Sequence, residues 1–368
     1  MEKVSPVPTD ARWSLYEATL PELEAAMQQW GEPSFRARQL YRHLYSRLTS
    51  DIQAMTDLPG SLRARLLEET QAGGLRVVRE RRTDDGQTRK ALMALPDGVM
   101  IETVLMVYPE RATVCVSTQA GCGIGCVFCA TGQAGLRRNL SSGEIVEQVV
   151  WAARQVRAIS LERSSHLNVV FMGMGEPFAN YERWWDAVKR LHDPQGFNLS
   201  ARKMTVSTVG LVPGIRRLSQ ESLPINLAIS LHAPDDALRD TLIPINRRYP
   251  LAAVLEAARD YTERTGRRVS LEYVLLQGRN DHPDQARALA QRLRSLAVAG
   301  HALLFHVNLI PWNPVPGSAL SRPERQRVLR FQQVLQEHQI ACTVRVERGG
   351  EIAAACGQLA GVPGNKSA

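Results

Sequence analysis

The stretch Cys122-Gly123-Ile124-Gly125-Cys126-Val127-Phe128-Cys129 sets three thiols at C-x3-C-x2-C spacing, with Cys115 seven residues upstream. Three thiolates this close on one loop can each bind one iron of a [4Fe–4S] cube, which leaves the fourth iron without a protein ligand. An open metal position is where chemistry happens, whereas a structural site is closed. A zinc site would want four ligands, usually as two C-x2-C knuckles or Cys/His pairs, and neither accompanies these cysteines. The chain begins Met1-Glu2-Lys3-Val4-Ser5-Pro6 with no apolar leader, so a reducing, cytoplasmic setting is expected and disulfides are not.

Working outward from this loop, the chain changes character on both sides. Upstream, Leu75–Arg82, Lys90–Leu95, Val99–Met106 and Ala112–Ser117 read as strands, with Asp84-Asp85-Gly86 and Pro96-Asp97-Gly98 as hairpin turns. Downstream, strands alternate with helices. Helix Ser142–Arg157 follows a capping box at Ser141 and Glu144. Strand Leu167–Phe171 precedes helix Tyr181–His192, and strand Lys203–Ser207 precedes a short helix at Pro213. Strand Ile225–Ser230 precedes helices near Asp235–Leu242 and Leu251–Thr265, strand Val269–Leu275 precedes helix His282–Leu296, and strand Leu303–Ile310 precedes helix Arg322–Gln339. Counting the strand that ends at Cys115, these are six βα repeats, which argue for a parallel sheet. The expected fold is therefore α/β: a partial, open-sided (β/α)6 barrel rather than a closed eight-fold one. Sites in such folds collect at the C-terminal ends of the strands. The cysteine loop, Gly173–Pro177, Ser207, Ser230–His232 and Asn313 all fall there, as one shared site requires.

The segment from Leu20 to about Thr70 has a helical pattern. Ser34–Arg47 places Leu40, Tyr41, Leu44 and Tyr45 on one face, while Arg36, Arg38, Arg42 and Arg47 decorate the rest. Those arginines read either as a solvated basic surface or as a backbone-binding face for RNA. The expected organisation is a helical accessory domain over 1–74, with 1–10 as a loose tail. A β extension over 75–111, the barrel over 112–312 and a C-terminal extension over 313–368 follow. A net charge of +8, from 45 basic and 37 acidic residues, suits a polyanionic partner. The 44% hydrophobic content is enough for a sizeable core, and no apolar run reaches membrane-spanning length.

Two further motifs carry chemistry. In Met172-Gly173-Met174-Gly175-Glu176-Pro177, glycines allow close backbone approach to a ligand and the carboxylate precedes a rigid proline. Alone it could be a turn, just as Ser230-Leu231-His232 could simply cap a helix. Cys356 lies among alanines in Glu351-Ile352-Ala353-Ala354-Ala355-Cys356-Gly357-Gln358-Leu359-Ala360, where the default is a small buried hydrophobe.

The cysteine triad with an aromatic residue before its last member resembles the cluster loop of radical S-adenosylmethionine (SAM) enzymes, and Met172–Pro177 resembles the segment that holds the SAM ammonium group. Gly121–Gln133, Met172–Pro177, Val206–Gly214, Leu309–Pro314 and Arg348–Leu359 together resemble the RlmN/Cfr family of RNA adenine methyltransferases, across nearly the whole chain. The resemblance implies a [4Fe–4S] cluster on Cys122, Cys126 and Cys129. It implies two SAM molecules per turnover, with SAM contacts at Gly175, Glu176, Ser207, Ser230, Leu231, His232 and Asn313. It further implies Cys356 as the methyl-carrying cysteine, Cys115 as the resolving cysteine and Glu102 as the general base. Cys342 matches no family role and reads as structural.

The chemistry implied is a methyl transfer from SAM to Cys356 and then hydrogen abstraction from that methyl group by a 5′-deoxyadenosyl radical. Addition of the methylene radical to an adenine carbon follows, with release of the product as Cys115 forms a disulfide with Cys356. Electrons would come from an external donor such as flavodoxin or ferredoxin. The intact helical region and the Ala354–Leu359 stretch are closer to RlmN-type enzymes, which methylate adenine C2, than to Cfr-type enzymes, which methylate C8. The implied partners are 23S rRNA at the peptidyl-transferase region and tRNA at an adenine beside the anticodon. Arg348-Gly349-Gly350-Glu351 departs from the family pattern, where an acidic pair more often follows the first glycine. A radical SAM enzyme with a non-RNA substrate would have no need of both Cys115 and Cys356. An iron–sulfur sensor that binds nucleic acid would have no need of Met172–Pro177.

Overall fold

The computed structural model describes residues 12–159, 166–296, 304–346 and 348–361, so the expected tail over 1–10 and the start of the strand at Leu303 lie outside the described residues. Trp13–Ser14 (β1) pairs in parallel with Thr70–Gln71 (β2) and closes the N-terminal helical unit at its base. Three antiparallel strands follow: Arg76–Arg82 (β3), Thr88–Ala94 (β4) and Met100–Val107 (β5). Gly86 and Gly98 turn their hairpins with φ of 67° and 81°, a region open to glycine and costly for other residues. Ala112–Cys115 (β6) pairs antiparallel with β5 on one side and parallel with the barrel on the other.

Gln119–Gly121 (β7) and Leu136–Asn139 (β8) pair antiparallel and pinch the cysteine loop between them. The barrel strands are Leu167–Phe171 (β9), Met204–Thr208 (β10), Asn226–Ser230 (β11), Val269–Leu275 (β12) and Phe305–Pro311 (β13). A seventh parallel strand, Cys342–Val344 (β14), follows β13. The result is one open ten-stranded sheet in the order β14-β13-β12-β11-β10-β9-β6-β5-β4-β3. The expected partial barrel is present, extended by β14 at one edge and by three antiparallel strands at the other. β14 is not among the strands expected from the sequence, because three residues with one buried position give no period-2 signal. Cys342 sits on it, buried in the core, in keeping with a structural part.

Helices Ser142–Ile159, Tyr181–His192 and Leu251–Thr265 pack their apolar stripes on the sheet. The capping box at Ser141 forms in full: Glu144 N–H donates to Ser141 Oγ (3.1 Å) and Ser141 N–H to Glu144 Oε2 (2.9 Å). Leu40, Tyr41, Leu44 and Tyr45 are buried, as their spacing predicts, and belong to the same continuous core as the barrel. The seam is polar as well as apolar. Tyr41 Oη donates to Asp193 (2.9 Å), Arg154 Nε to the Leu48 carbonyl (2.8 Å) and Ser14 Oγ to Glu147 (2.9 Å). Three of the four decorating arginines have partners within the unit: Arg36 bonds Gln39, Arg38 pairs with Glu24 and Arg47 with Asp57. No helix among the described residues is long and apolar enough to cross a membrane.

Candidate active site

Two cavities meet at the C-terminal ends of the strands. The first is walled by Cys115 from β6, by Tyr108 and by Arg345, Arg348 and Cys356 from the C-terminal segment. The second is walled by Gly175, Glu176, Ser207, Ser230, His232 and Glu272. Cys129, Asn313, Arg345 and Cys356 line both, so they stand where the two spaces adjoin.

The cysteine loop leaves β7 through Gly121, whose φ is 77° and where a Cβ would lie 1.9 Å from the Gly135 carbonyl oxygen. Only glycine permits that crossing of the two loop stems. Burial pushes the Cys122 thiol up to about 11; the Cys126 thiol is also raised, by burial first and then by the charges of Cys129 and Cys122. The three sulfurs therefore share one electrostatic neighbourhood. Among the described residues no three His, Cys, Asp or Glu side chains converge as they would around one metal ion. A cube imposes a different geometry, because each thiolate meets its own iron and the three are spread apart. The donor set fits a cluster with one open iron.

The second cavity is built from backbone and buried polar groups. Glu176 is 2% exposed, and its two carboxylate oxygens accept from Phe178 N–H (3.0 Å) and Val209 N–H (2.8 Å). Burial pushes its carboxyl up to about 7 against those bonds. Gly175 has φ of 101°, and a Cβ there would meet Gln119 Cβ at 2.5 Å. His232 Nδ1 accepts from Val274 N–H (2.9 Å), which leaves its proton on Nε2. Burial, helped by the Arg239 charge, drops its pKa to about 3, so the ring is neutral. Asn313 donates to the Cys356 carbonyl (3.1 Å), while its buried Oδ1 has no partner. An orphaned buried acceptor facing a cavity is a place for a ligand donor.

Leu231 stands apart from the other expected contacts. It is fully buried and lines neither cavity, and its N–H and carbonyl are taken by Glu272 and Arg239. Its part is to shape the wall. Glu102 also lines neither cavity. Its Oε1 pairs with Lys90 (2.8 Å), and its Oε2 accepts from Ala360 N–H (2.7 Å).

Several residues that no motif marked complete the site. Arg239 is fully buried and donates to the carbonyls of Leu231 (3.0 Å), Val209 (2.6 Å) and Ser230 (3.0 Å), stapling together the loops that follow β10 and β11. Arg345 is raised above the ordinary arginine range, chiefly by the nearby Cys356 sulfur and then by Glu272 and Cys115. Burial, then the Cys356 charge, pushes the Cys115 thiol up to about 12, with Arg345 pulling the other way. At the outer rim of the first cavity, Arg348 and Arg111 both lie over the Tyr108 ring, at 4.4 and 4.8 Å from its centroid. Among the described residues no Asp or Glu lines that cavity.

Residues 116–290 match the Radical SAM superfamily, and residues 13–71 match the ribosomal RNA large subunit methyltransferase N-terminal domain. A crystal structure of a radical SAM methyltransferase from Sphaerobacter thermophilus superposes with a TM-score of 0.90 at 51% identity, covering 94% of this chain and 99% of that one. A probable dual-specificity RNA methyltransferase RlmN of Chloroflexus aurantiacus is 66% identical over 94% of this chain and 92% of its own length. The chain belongs to the RlmN family of radical SAM RNA methyltransferases. A second relative of the same description, from a Roseiflexus species, is 59% identical over 95% of this chain and 97% of its own. Both signatures of the family lie in this one chain: the helical N-terminal unit that marks RlmN and the cysteine-loop barrel that marks radical SAM enzymes. Membership brings SAM and a [4Fe–4S] cluster as the cofactors of the site.

Proposed function

We propose that this enzyme methylates C2 of an adenine in 23S rRNA and of an adenine beside the anticodon of tRNA, with Cys356 carrying the methyl carbon to the base. One observation carries the reading: Cys115 and Cys356, two free thiols, wall a single cavity that adjoins a second, polar cavity at Cys356 itself. A carrier sulfur must face the methyl donor on one side and the acceptor base on the other. Cys356 has that double exposure.

Cys122, Cys126 and Cys129 would hold the cluster, and Gly175, Glu176, Ser207, Ser230, His232 and Asn313 would hold SAM. Together these cofactors supply the methyl group and a hydrogen-abstracting carbon radical. The protein's part follows from its charges. Glu176 offers carboxylate to an ammonium group, and neutral His232 offers its Nε2–H. Arg345 is the cation that can steady a thiolate on either cavity sulfur. Radical addition of the carrier carbon would leave one unpaired electron on the ring, which the bound cofactors would withdraw; Cys115 then accepts the ring proton and the base is aromatic again. Its sulfur then displaces carbon from Cys356: the S–S bond forms, the C–S bond breaks, and the electron pair and proton stay with the product methyl group. A flavodoxin- or ferredoxin-type donor resets the chain. At the rim, Arg348, Tyr108 and Arg111 offer a stacked cationic face to the bases and phosphates flanking the target.

The test is mass spectrometry of nucleosides from unmodified 23S rRNA and tRNA after incubation with the reconstituted enzyme, SAM and reductant. 2-Methyladenosine in both RNAs is expected. 8-Methyladenosine, or 2-methyladenosine in one RNA alone, would overturn the corresponding part of the reading.

A further inference from the structure

The chain after β14 does not stop at the sheet edge. It crosses the open side of the barrel to the antiparallel strands beyond β6, and Cys356 rides on that crossing. Arg348 Nη1 meets Gln87 (2.9 Å), next to the start of β4. Lys90 Nζ on β4 then takes the Ala353 carbonyl (2.9 Å). Glu102 Oε2 on β5 takes Ala360 N–H (2.7 Å) and Gly361 N–H (3.3 Å). Lys90 and Glu102 pair with each other at 2.8 Å, and both are under 10% exposed. Between these two anchors the segment touches the cluster loop: Ala130 N–H donates to the Gly357 carbonyl (2.8 Å), and Thr131 Oγ1 donates to that of Leu359.

We propose that Lys90 and Glu102 form a buried clasp that fixes the Cys356-bearing strap at both ends, so that Glu102 is a positioning residue and not the acceptor of the substrate proton. Both Glu102 oxygens are engaged by groups that a proton would displace, and the carboxylate lies behind the cavity wall. Ala353 is held at φ of 52°, an unfavourable backbone region for a residue with a side chain, and Lys90 secures its carbonyl. The backbone N–H of Glu102 approaches Met174 Sδ at 3.4 Å, and its carbonyl accepts from Ser117 Oγ (2.7 Å), which in turn accepts from Met174 N–H (3.0 Å). One residue thus ties the strap to the loop that follows Cys115 and to the Met172–Pro177 segment. A carrier sulfur that must serve two cavities needs such a register, since a small misplacement costs about a hundredfold in rate.

The inference rests on Cys356 as methyl carrier, and its test separates the two. Lys90→Met and Glu102→Gln are prepared as reconstituted holoenzymes, with thermal melting and iron content checked. The rate of iodoacetamide alkylation at Cys356, read by peptide mass spectrometry without RNA, reports the strap directly and needs no methyl transfer. Both variants should alkylate Cys356 faster than the parent. Both should lose about a hundredfold in kcat with the KM for RNA unchanged. Neither should accumulate a covalent protein–RNA adduct, and Lys90→Arg should restore most of the rate. Unchanged alkylation in either variant would overturn the clasp. So would a covalent adduct in Glu102→Gln that Lys90→Met lacks, because that outcome marks Glu102 as the proton acceptor. If either variant fails to fold, Glu102→Asp and Lys90→Gln carry the same comparison.

Discussion

A methyl group at Gly121 would collide with the Gly135 carbonyl oxygen at 1.9 Å, so the loop that brings three cysteines together depends on a single absent side chain. Gly121→Ala should therefore fold its barrel but fail to hold a full cluster, read as iron and sulfide per chain after reconstitution. Parent-level iron would show that the loop stems can separate without cost. Arg345→Met probes the other side of the site. It removes the cation that both cavity sulfurs face, and kcat should fall about a hundredfold, the usual loss when one preorganised charge is removed, while iron content stays at the parent level. At this scale the sequence singled out residues that sit in motifs: the three cysteines proposed to hold the cluster, Glu176 and Cys356. Arg345, Lys90 and Arg239 stayed invisible. Arg345 follows the short β14, Lys90 lies within β4 and Arg239 within the short helix Asp236–Leu242; none has a spacing signal, and the importance of each comes from partners outside its own element. Leu231 sits inside the Ser230–His232 motif, just past the end of β11, with its side chain buried in the core.

Among the elements, the repeated strand–helix units were legible because each strand is a short apolar run and each helix a longer amphipathic one. The strap was not. It has neither periodicity, only a short turn at Gly350–Ile352, and is defined by its anchors. The seam between the helical unit and the barrel was also hidden, and it holds a titratable group. Glu147 accepts from Gly74 N–H (2.9 Å), Leu75 N–H (2.8 Å) and Ser14 Oγ (2.9 Å). Burial nevertheless raises its carboxyl to about 7 from the ordinary 4.5. The folded state thus holds this proton more tightly than the unfolded chain does. The resulting stability is fully present below about pH 4.5 and is lost as pH rises through about 7, on the order of 3 kcal/mol. Glu176 contributes in the same direction. Glu147→Gln should lessen the fall in stability between those pH values by about 3 kcal/mol, measured by urea unfolding of the cofactor-free protein. An unchanged slope would place the proton elsewhere.

For the whole molecule, the net charge of +8 says only that a polyanion is welcome, and the structure adds a place for it. The rim of the first cavity carries Arg111 and Arg348 on Tyr108, whereas three of the four N-terminal arginines singled out in the sequence are already engaged within their own unit. Replacing Arg348 with Gln should lower the slope of log affinity for a single-stranded RNA against log salt by about 0.7, the value for one phosphate contact. A slope equal to the parent's would move the backbone track away from this rim. If Cys356 bonds to the base and Cys115 sets it free, removing the Cys115 thiol traps the bonded state. Cys115→Ala, reconstituted and incubated with SAM, reductant and RNA, is digested with protease and nuclease and read by mass spectrometry. The expected product is a methylene bridge between Cys356 and adenine C2, with no free methylated RNA. Free 2-methyladenosine from that variant, with Cys356 unlinked, would contradict it.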